Sequence, residues 1–140
     1  MPRYVAERTL CAPLDDVWAF LADPYNLGDW WPGVSGVEPD RRGLASGARW
    51  KVVGPSQPSY FRRPQASGTL VVLAVAPHER LAFQLTRDRI EADIALRAAG
   101  ERRTEVSLVV TTPFLSGLRR RFPARALDRL DDRLQTATDV

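Results

Sequence analysis

The sequence predicts an α+β domain, a curved antiparallel sheet of six to seven strands around a long C-terminal helix, with two short helices after the first strand. Three observations predict it. Apolar residues recur at helical spacing in two places only, early and at the end of the chain. Between them lie alternating or β-branched runs separated by short turn signals. The connections in that middle region are too short for crossovers, so neighbouring strands run antiparallel.

Taken in order, residues 4–11 form a mixed apolar and polar run that ends at Pro13 and reads as the opening strand. From Leu14, the residues Val17, Trp18, Leu21 and Ala22 fall at helical spacing. Asp15 and Asp16 sit in the first turn, where the helix dipole favours negative charge, and Pro13 stands at the helix entrance. That helix stops before Pro24, because the residue preceding a proline is pushed out of helical geometry. A second short helical piece is expected from Tyr25 to Trp31, ended by Pro32 and Gly33.

Strands follow at 34–38, 48–53, 68–76, 80–86, 90–98 and 104–112, punctuated by turn residues at 40–43, 54–55, 77–79, 87–89 and 99–101. Residues 54–65, GPSQPSYFRRPQ, carry three prolines and read as a long loop or frayed edge. From Pro113 the residues Phe114, Leu118, Phe122, Ala126, Leu130 and Leu134 step by four, which predicts a long helix with a kink or a restart at Pro123.

In an antiparallel sheet with one wet face, inward and outward residues alternate, so a strand declares which side it buries. Ala92, Ile94 and Leu96 alternate with Glu91, Asp93 and Arg97; Val106, Leu108 and Val110 with Glu105 and Ser107. Leu81, Phe83 and Leu85 alternate with Arg80 and Gln84, and Trp50 with Arg49 and Lys51. The covered face is therefore apolar and the charges on these four strands, Asp93 included, point to water. The run 68–76 is apolar on both sides and is not oriented by its pattern. One helix stripe is too narrow to seal the inner face of so large a sheet, so a curved sheet leaves a pocket.

Length and composition bound the function. The 140 residues suit one domain spanning 1–140, and 44% hydrophobic with 26% charged residues is an ordinary globular composition. The start lacks the apolar core of a signal peptide and no run reaches the ~18 apolar residues of a membrane span, so a cytoplasmic protein with no stable membrane insertion is expected. One cysteine, Cys11, excludes an internal disulfide, and one histidine, His78, excludes the usual Cys/His metal sites; no metal and no cofactor are expected. The net charge of +3 rests on nineteen arginines and one lysine scattered among acids, and the cluster Arg119–Arg121 is too short for a nucleic-acid stripe, so no nucleic acid is expected.

The stretch CAPLDDVWAFLADPYNLGDWWPGV, from Cys11 to Val34, resembles the opening signature of the polyketide cyclase/dehydrase and lipid-transport proteins, the SRPBCC or START-like superfamily with its helix-grip fold. The matching residues are Ala12-Pro13, Val17-Trp18, Ala22-Asp23-Pro24, Trp30 and Pro32-Gly33-Val34, supported later by Ala76-Pro77 with Leu81 and by Arg103-Thr104 with Val106. The resemblance implies the fold over nearly the whole chain and, for activity, either a cyclase or a carrier of apolar molecules. It also implies that Trp30 is a packing residue. Helical neighbours sit ~100° apart, so Trp31 is then expected at the cavity mouth or in solvent.

These readings converge on binding of a small hydrophobic or aromatic ligand, lipid-, quinone- or polyketide-like. Trp50, Phe83, Ile94, Leu96, Leu108 and Val110 are expected on the strand wall, Phe114, Leu118 and Phe122 on the helix wall, and Trp31 and Tyr60 at the mouth. A polyketide cyclase or dehydratase acting in the same cavity is the first alternative; it needs a buried acid or base, and the oriented strands offer none. Its candidates are Tyr60, foremost, with Arg62, Thr104 and Thr112. His78 in its turn is expected to be solvated, and Cys11 to be a small buried apolar group. A module that docks a partner helix at the apolar mouth is the second alternative, and a monomer or homodimer is expected.

Overall fold

In the computed structural model the described residues are 3–31, 34, 36–53, 66–86, 89–112 and 121–138. Strand β1 (Arg3–Leu10) leads into helix α1 (Leu14–Ala22), a 3-10 turn over Pro24–Asn26 and a four-residue helix α2 (Leu27–Trp30). Strands β2 (Gly36–Glu38), β3 (Arg49–Val53), β4 (Ala66–Ala76), β5 (Arg80–Leu85), β6 (Ile90–Gly100) and β7 (Arg103–Thr111) follow, and helix α3 (Phe122–Thr138) comes last. The strands make one seven-stranded antiparallel sheet in the order β1-β7-β6-β5-β4-β3-β2. The chain thus meanders from β2 to β7 and its first strand pairs beside its last.

Register turns the alternation of single strands into rows across the sheet. Trp50, Leu70, Leu85 and Ile90 lie opposite one another in succession, as do Val72, Phe83, Ala92 and Val110, and Leu81, Ile94 and Leu108. Every member of these rows is buried. At ~25 cal/mol per Å² of apolar area removed from water, this face is the main stabilising surface of the domain. Register also orients β4, which its own pattern could not: Leu70 and Val72 face inward, and Leu73, beside a register shift between Val72 and Ala74, faces outward, 44% exposed.

The helices form where local chemistry favours them. Pro13 holds the extended geometry of an N-cap (φ −61°, ψ 151°), and its carbonyl accepts the N–H groups of Asp16 and Val17. Val17, Trp18 and Leu21 form the buried stripe of α1. Asp23 then ends α1 and starts the 3-10 turn, its Oδ1 accepting the N–H of Tyr25 at 3.0 Å. In α3 the described buried residues are Pro123, Ala126, Leu127, Leu130 and Leu134, and the helix packs on β1 and β7 and on α1 and α2. Arg8 of β1 ties it down, paired with Asp128 and, at 2.7 Å, with Asp131.

One expectation is narrowed, some fall on residues that are not described, and one is corrected. Of the kink or restart expected at Pro123, the described residues agree with the second: α3 starts at Phe122 and Pro123 is its second residue, where its missing N–H costs nothing. Residues 113–120, including Phe114 and Leu118, lie outside the described residues, as do residues 54–65 with Tyr60 and Arg62. Cys11 is exposed, not buried: Leu10 and Ala12 on either side turn inward at 0% and 1% exposure, and alternation leaves the thiol outside.

Candidate functional site

The interior between the helices and strands β3–β5 is built from aromatic rings. Trp31 caps the C-terminus of α2 in extended geometry (φ −87°, ψ 116°), its N–H donating to the Leu27 carbonyl at 2.9 Å. Because it stands past the last helical residue, the ~100° step of a helix no longer fixes its direction. Trp30 and Trp31 are both 1% exposed, which corrects the expectation that Trp31 faces the mouth or solvent. The indole of Trp31 meets three rings edge-on: Trp30 at 5.5 Å and 90°, Phe83 at 5.2 Å and 72°, and Phe122 at 5.0 Å and 68°. Such tilted pairs contribute ~0.5–1.5 kcal/mol each beyond the area they bury.

Beside this cluster lies a void of about 10 Å³, bounded by Leu21, Asp23, Pro24, Leu27, Trp30, Trp50, Leu70, Val72, Leu81 and Phe83. It has room for about one water molecule. The space that the sequence led us to expect is largely taken, among the described residues, by the protein's own rings. Of the expected lining residues, Trp50 and Phe83 border the void and Trp31 and Phe122 complete the aromatic cluster. Ile94, Leu96, Leu108 and Val110 lie buried on the same inner face of β6 and β7 but not at this void.

Sequence reasoning missed Leu21, Leu27, Leu70, Val72 and Leu81 as neighbours of this space. Leu21 was visible in the stripe of α1 and Leu81 in the alternation of β5. Leu70 and Val72 were hidden because β4 is apolar on both faces.

The polar groups here are already committed. Trp50 Nε1 donates to the Gly43 carbonyl at 2.9 Å, and Thr104 Oγ1 donates to the Ala12 carbonyl at 2.8 Å. Thr104 and Thr112 are the buried polar residues among those described, and no ionised side chain is buried with them. Asp93 turns outward, as expected, into a two-pronged pair with Arg80 at 2.8 and 2.6 Å; that bond raises the guanidinium pKa. His78 sits at the tip of the β4–β5 turn with φ 66°, half-exposed, its Nε2 3.2 Å from Asp15 Oδ1 and its ring 5.9 Å from that of Trp18. Among the described residues no three His, Cys, Asp or Glu side chains gather to hold a metal. An open depression of about 620 Å³ across β1, β7 and β6 is larger; its lining mixes polar residues with Ala95, Leu96 and Val106, and its Arg97 and Glu105 are paired with each other.

An α+β chain with a seven-stranded antiparallel sheet, a C-terminal helix and an apolar, aromatic interior is defined at this point. The chain belongs to the family described as polyketide cyclase/dehydrase and lipid transport, whose model matches residues 1–137. Solved structures share the fold. NE0264 from Nitrosomonas europaea is 19% identical with a TM-score of 0.69, the match covering 99% of this chain and 97% of that one. TTHA0849 from Thermus thermophilus is 22% identical with a TM-score of 0.64, covering 98% and 99%. DynU16, a protein of the dynemicin biosynthetic locus, is 20% identical with a TM-score of 0.64, covering 96% of this chain and 48% of that chain. Comparison with curated proteins finds no match. No helix among the described residues is long and apolar enough to cross a membrane.

Proposed function

We propose that this protein binds a small hydrophobic or aromatic molecule, lipid-, quinone- or polyketide-like, between the inner face of the sheet and the C-terminal helix, in a helix-grip arrangement. It works in the cytoplasm as a monomer or homodimer and needs no cofactor. The supporting observation is an inner face whose described buried side chains include no ionised group and whose centre is a cluster of four aromatic rings. Such a surface gains by burying apolar area, and its buried side chains offer a charged ligand no partner; the one carboxylate bordering the void, Asp23, is exposed and already accepts the N–H of Tyr25. Native mass spectrometry of freshly purified protein tests the reading. A co-purified apolar molecule that leaves on denaturation is the expected result; protein that carries none, and takes up neither 1-naphthol nor a long-chain quinone in titration, rules it out.

The family description, together with the biosynthetic locus of the DynU16 neighbour, favours one further reading, a cyclase or dehydratase acting in the same place. Tyr60 is then the acid. Tyr60→Phe is expected to abolish turnover of a substrate the wild type converts while leaving its binding within about twofold. Full activity in that variant removes Tyr60 from the mechanism.

A further inference from the structure

The two edges of the sheet are unlike. β2 is three residues long, a short edge that offers little to pair with. β1 has eight residues, meets β7 in unbroken register from Arg3 opposite Thr111 to Leu10 opposite Thr104, and among the described residues has no strand on its other side. Its side chains alternate between two faces. Tyr4, Ala6, Arg8 and Leu10 stand opposite the inward residues of β7, and Arg8 is spent on Asp128 and Asp131 of α3. Arg3, Val5, Glu7 and Thr9 turn to the other face and are exposed, Val5 at 56%. In an antiparallel strand the N–H and C=O of one residue point to the same side, and those of the next residue to the opposite side. Inward-facing Leu96 of β6 sends its N–H toward β5, to the Glu79 carbonyl at 2.8 Å. β1 runs in the same direction as β6, both being antiparallel to β7, so its inward residues point the same way across the sheet, which for β1 is toward β7. The backbone groups at the open edge are therefore those of Arg3, Val5, Glu7 and Thr9.

We propose that this edge is an interface for a second copy of the chain: two β1 strands pair antiparallel about a two-fold axis at Val5 and join the two sheets into one. The free backbone groups of two such edges meet only in registers that set odd-numbered residues of β1 opposite odd-numbered ones. Centred on Val5, the register sets Arg3 opposite the second copy's Glu7 and Glu7 opposite its Arg3, with the two exposed Val5 side chains covering each other between them. Each of these pairs then exchanges both of its backbone hydrogen bonds. Registers centred on Arg3 or on Glu7 set like charges together, and those in between set Val5 against a charge. Opposite charges facing each other across a strand pair stabilise it and like charges destabilise it, so the charge pattern of this edge is complementary to itself in one register. Neither Arg3 nor Glu7 has an ion pair within the chain among the described residues. Strand addition takes its strength from main-chain bonds and its register from side chains, and a two-fold contact uses the same patch on both copies. The contact lies outside the apolar interior and holds whether or not a ligand binds there.

The experiment follows the full chain by sedimentation velocity from about 1 μM to about 1 mM. The wild type is expected to pass reversibly from monomer to dimer within this range, and to need a higher concentration when salt is raised. Arg3→Glu and Glu7→Arg are each expected to weaken the association at least about tenfold, because either one sets like charges opposite each other at both ends of the strand pair. Both side chains are exposed, so neither reversal disturbs the core. An equimolar mixture of the two variants restores opposite charges at both places and is expected to form a mixed dimer about as tight as the wild type; the double variant is expected to do the same with itself. Hydrogen exchange on the wild type supplies a second measurement: the Val5 amide is expected to slow as the dimer forms, while the Ala6 amide, directed at β7, keeps its rate. A wild type that stays monomeric to the top of the range, a dimer indifferent to both reversals, or single variants that are weakened with no recovery in their mixture overturns the edge contact. So does a dimer in which exchange at Val5 does not change with concentration, since its interface then lies elsewhere.

Discussion

Thr104 offers a clean separation of structure from site. It was a candidate for polar chemistry in the cavity, yet it is 0% exposed and its hydroxyl is spent on the carbonyl of Ala12, 2.8 Å away and 92 positions earlier. The bond fastens the start of β7 to the bend between β1 and α1. Thr104→Val keeps the β-branched shape and volume and removes only the donor. The Ala12 carbonyl is then left in an interior where Ala12 itself is 1% exposed. Leaving a buried acceptor unpaired costs about 1–3 kcal/mol. Unfolding entropy of about 2.1 cal/mol/K per residue amounts to about 0.3 kcal/mol/K for 140 residues, so a mid-range loss of about 2 kcal/mol lowers the melting temperature by about 7 °C. Thermal unfolding followed by far-UV circular dichroism measures this, with 1-naphthol binding measured beside it and expected to change less than about twofold. A melting temperature within about 1 °C of wild type, or a loss of binding without a loss of stability, refutes the assignment of this hydroxyl to the frame.

Phe83→Ala removes a 2%-exposed ring that borders both the void and Trp31, and truncations of this kind cost about 3–5 kcal/mol; urea unfolding should show a large fall in midpoint at unchanged slope. Asp40 accepts the backbone N–H groups of Arg49 and Arg42, Arg49 foremost, and its carboxyl is held below the ordinary value of 3.8. Its stabilising effect is therefore complete above that value and lost as pH falls through the lower folded-state pKa, so Asp40→Ala should be less stable than wild type at neutral pH and the gap should close in acid. Cys11 is expected to react with Ellman's reagent in the folded protein at a rate near that of the unfolded chain; protection in the native state would show that the thiol is covered.

The order and type of elements were readable because each declares itself over many residues. The alternation of Ala92, Ile94 and Leu96 against Glu91, Asp93 and Arg97 assigns a face without any knowledge of neighbours, and β6 pairs as that assignment requires, Ile94 opposite Leu108 and Leu81. The site was harder because it depends on single side chains at places where period gives way. Trp31 was misplaced by a helical rule applied one residue beyond the helix. Cys11 was misplaced because its apolar character was weighed above its alternation with Leu10 and Ala12. Leu70 and Val72 could not be placed until the pairing of β4 with β3 and β5 told which of two apolar faces was inside. In each case the missing information was a cross-strand or cross-element contact, which a one-dimensional pattern does not carry.

The hydrogen bonds of the interior bear on what kind of selectivity it can have. Trp50 donates to Gly43, Thr104 to Ala12, and the Asp23 carboxylate accepts from Tyr25 at the edge of the void. A ligand hydroxyl or carbonyl reaching these groups must compete with a bond already made, and so gains little from them. Discrimination among ligands then rests on shape and apolar area. A missing methylene in an apolar pocket changes binding by only ~1–3 kcal/mol, whereas a site built to satisfy a particular polar group rejects its absence by far more. If the proposed ligand binding holds, such an interior would take a class of apolar molecules more readily than it would select a single compound. On the enzyme reading the acid is assigned to Tyr60, and this is why the Tyr60→Phe variant, and not any residue of the oriented strands, is chosen to separate carrier from cyclase.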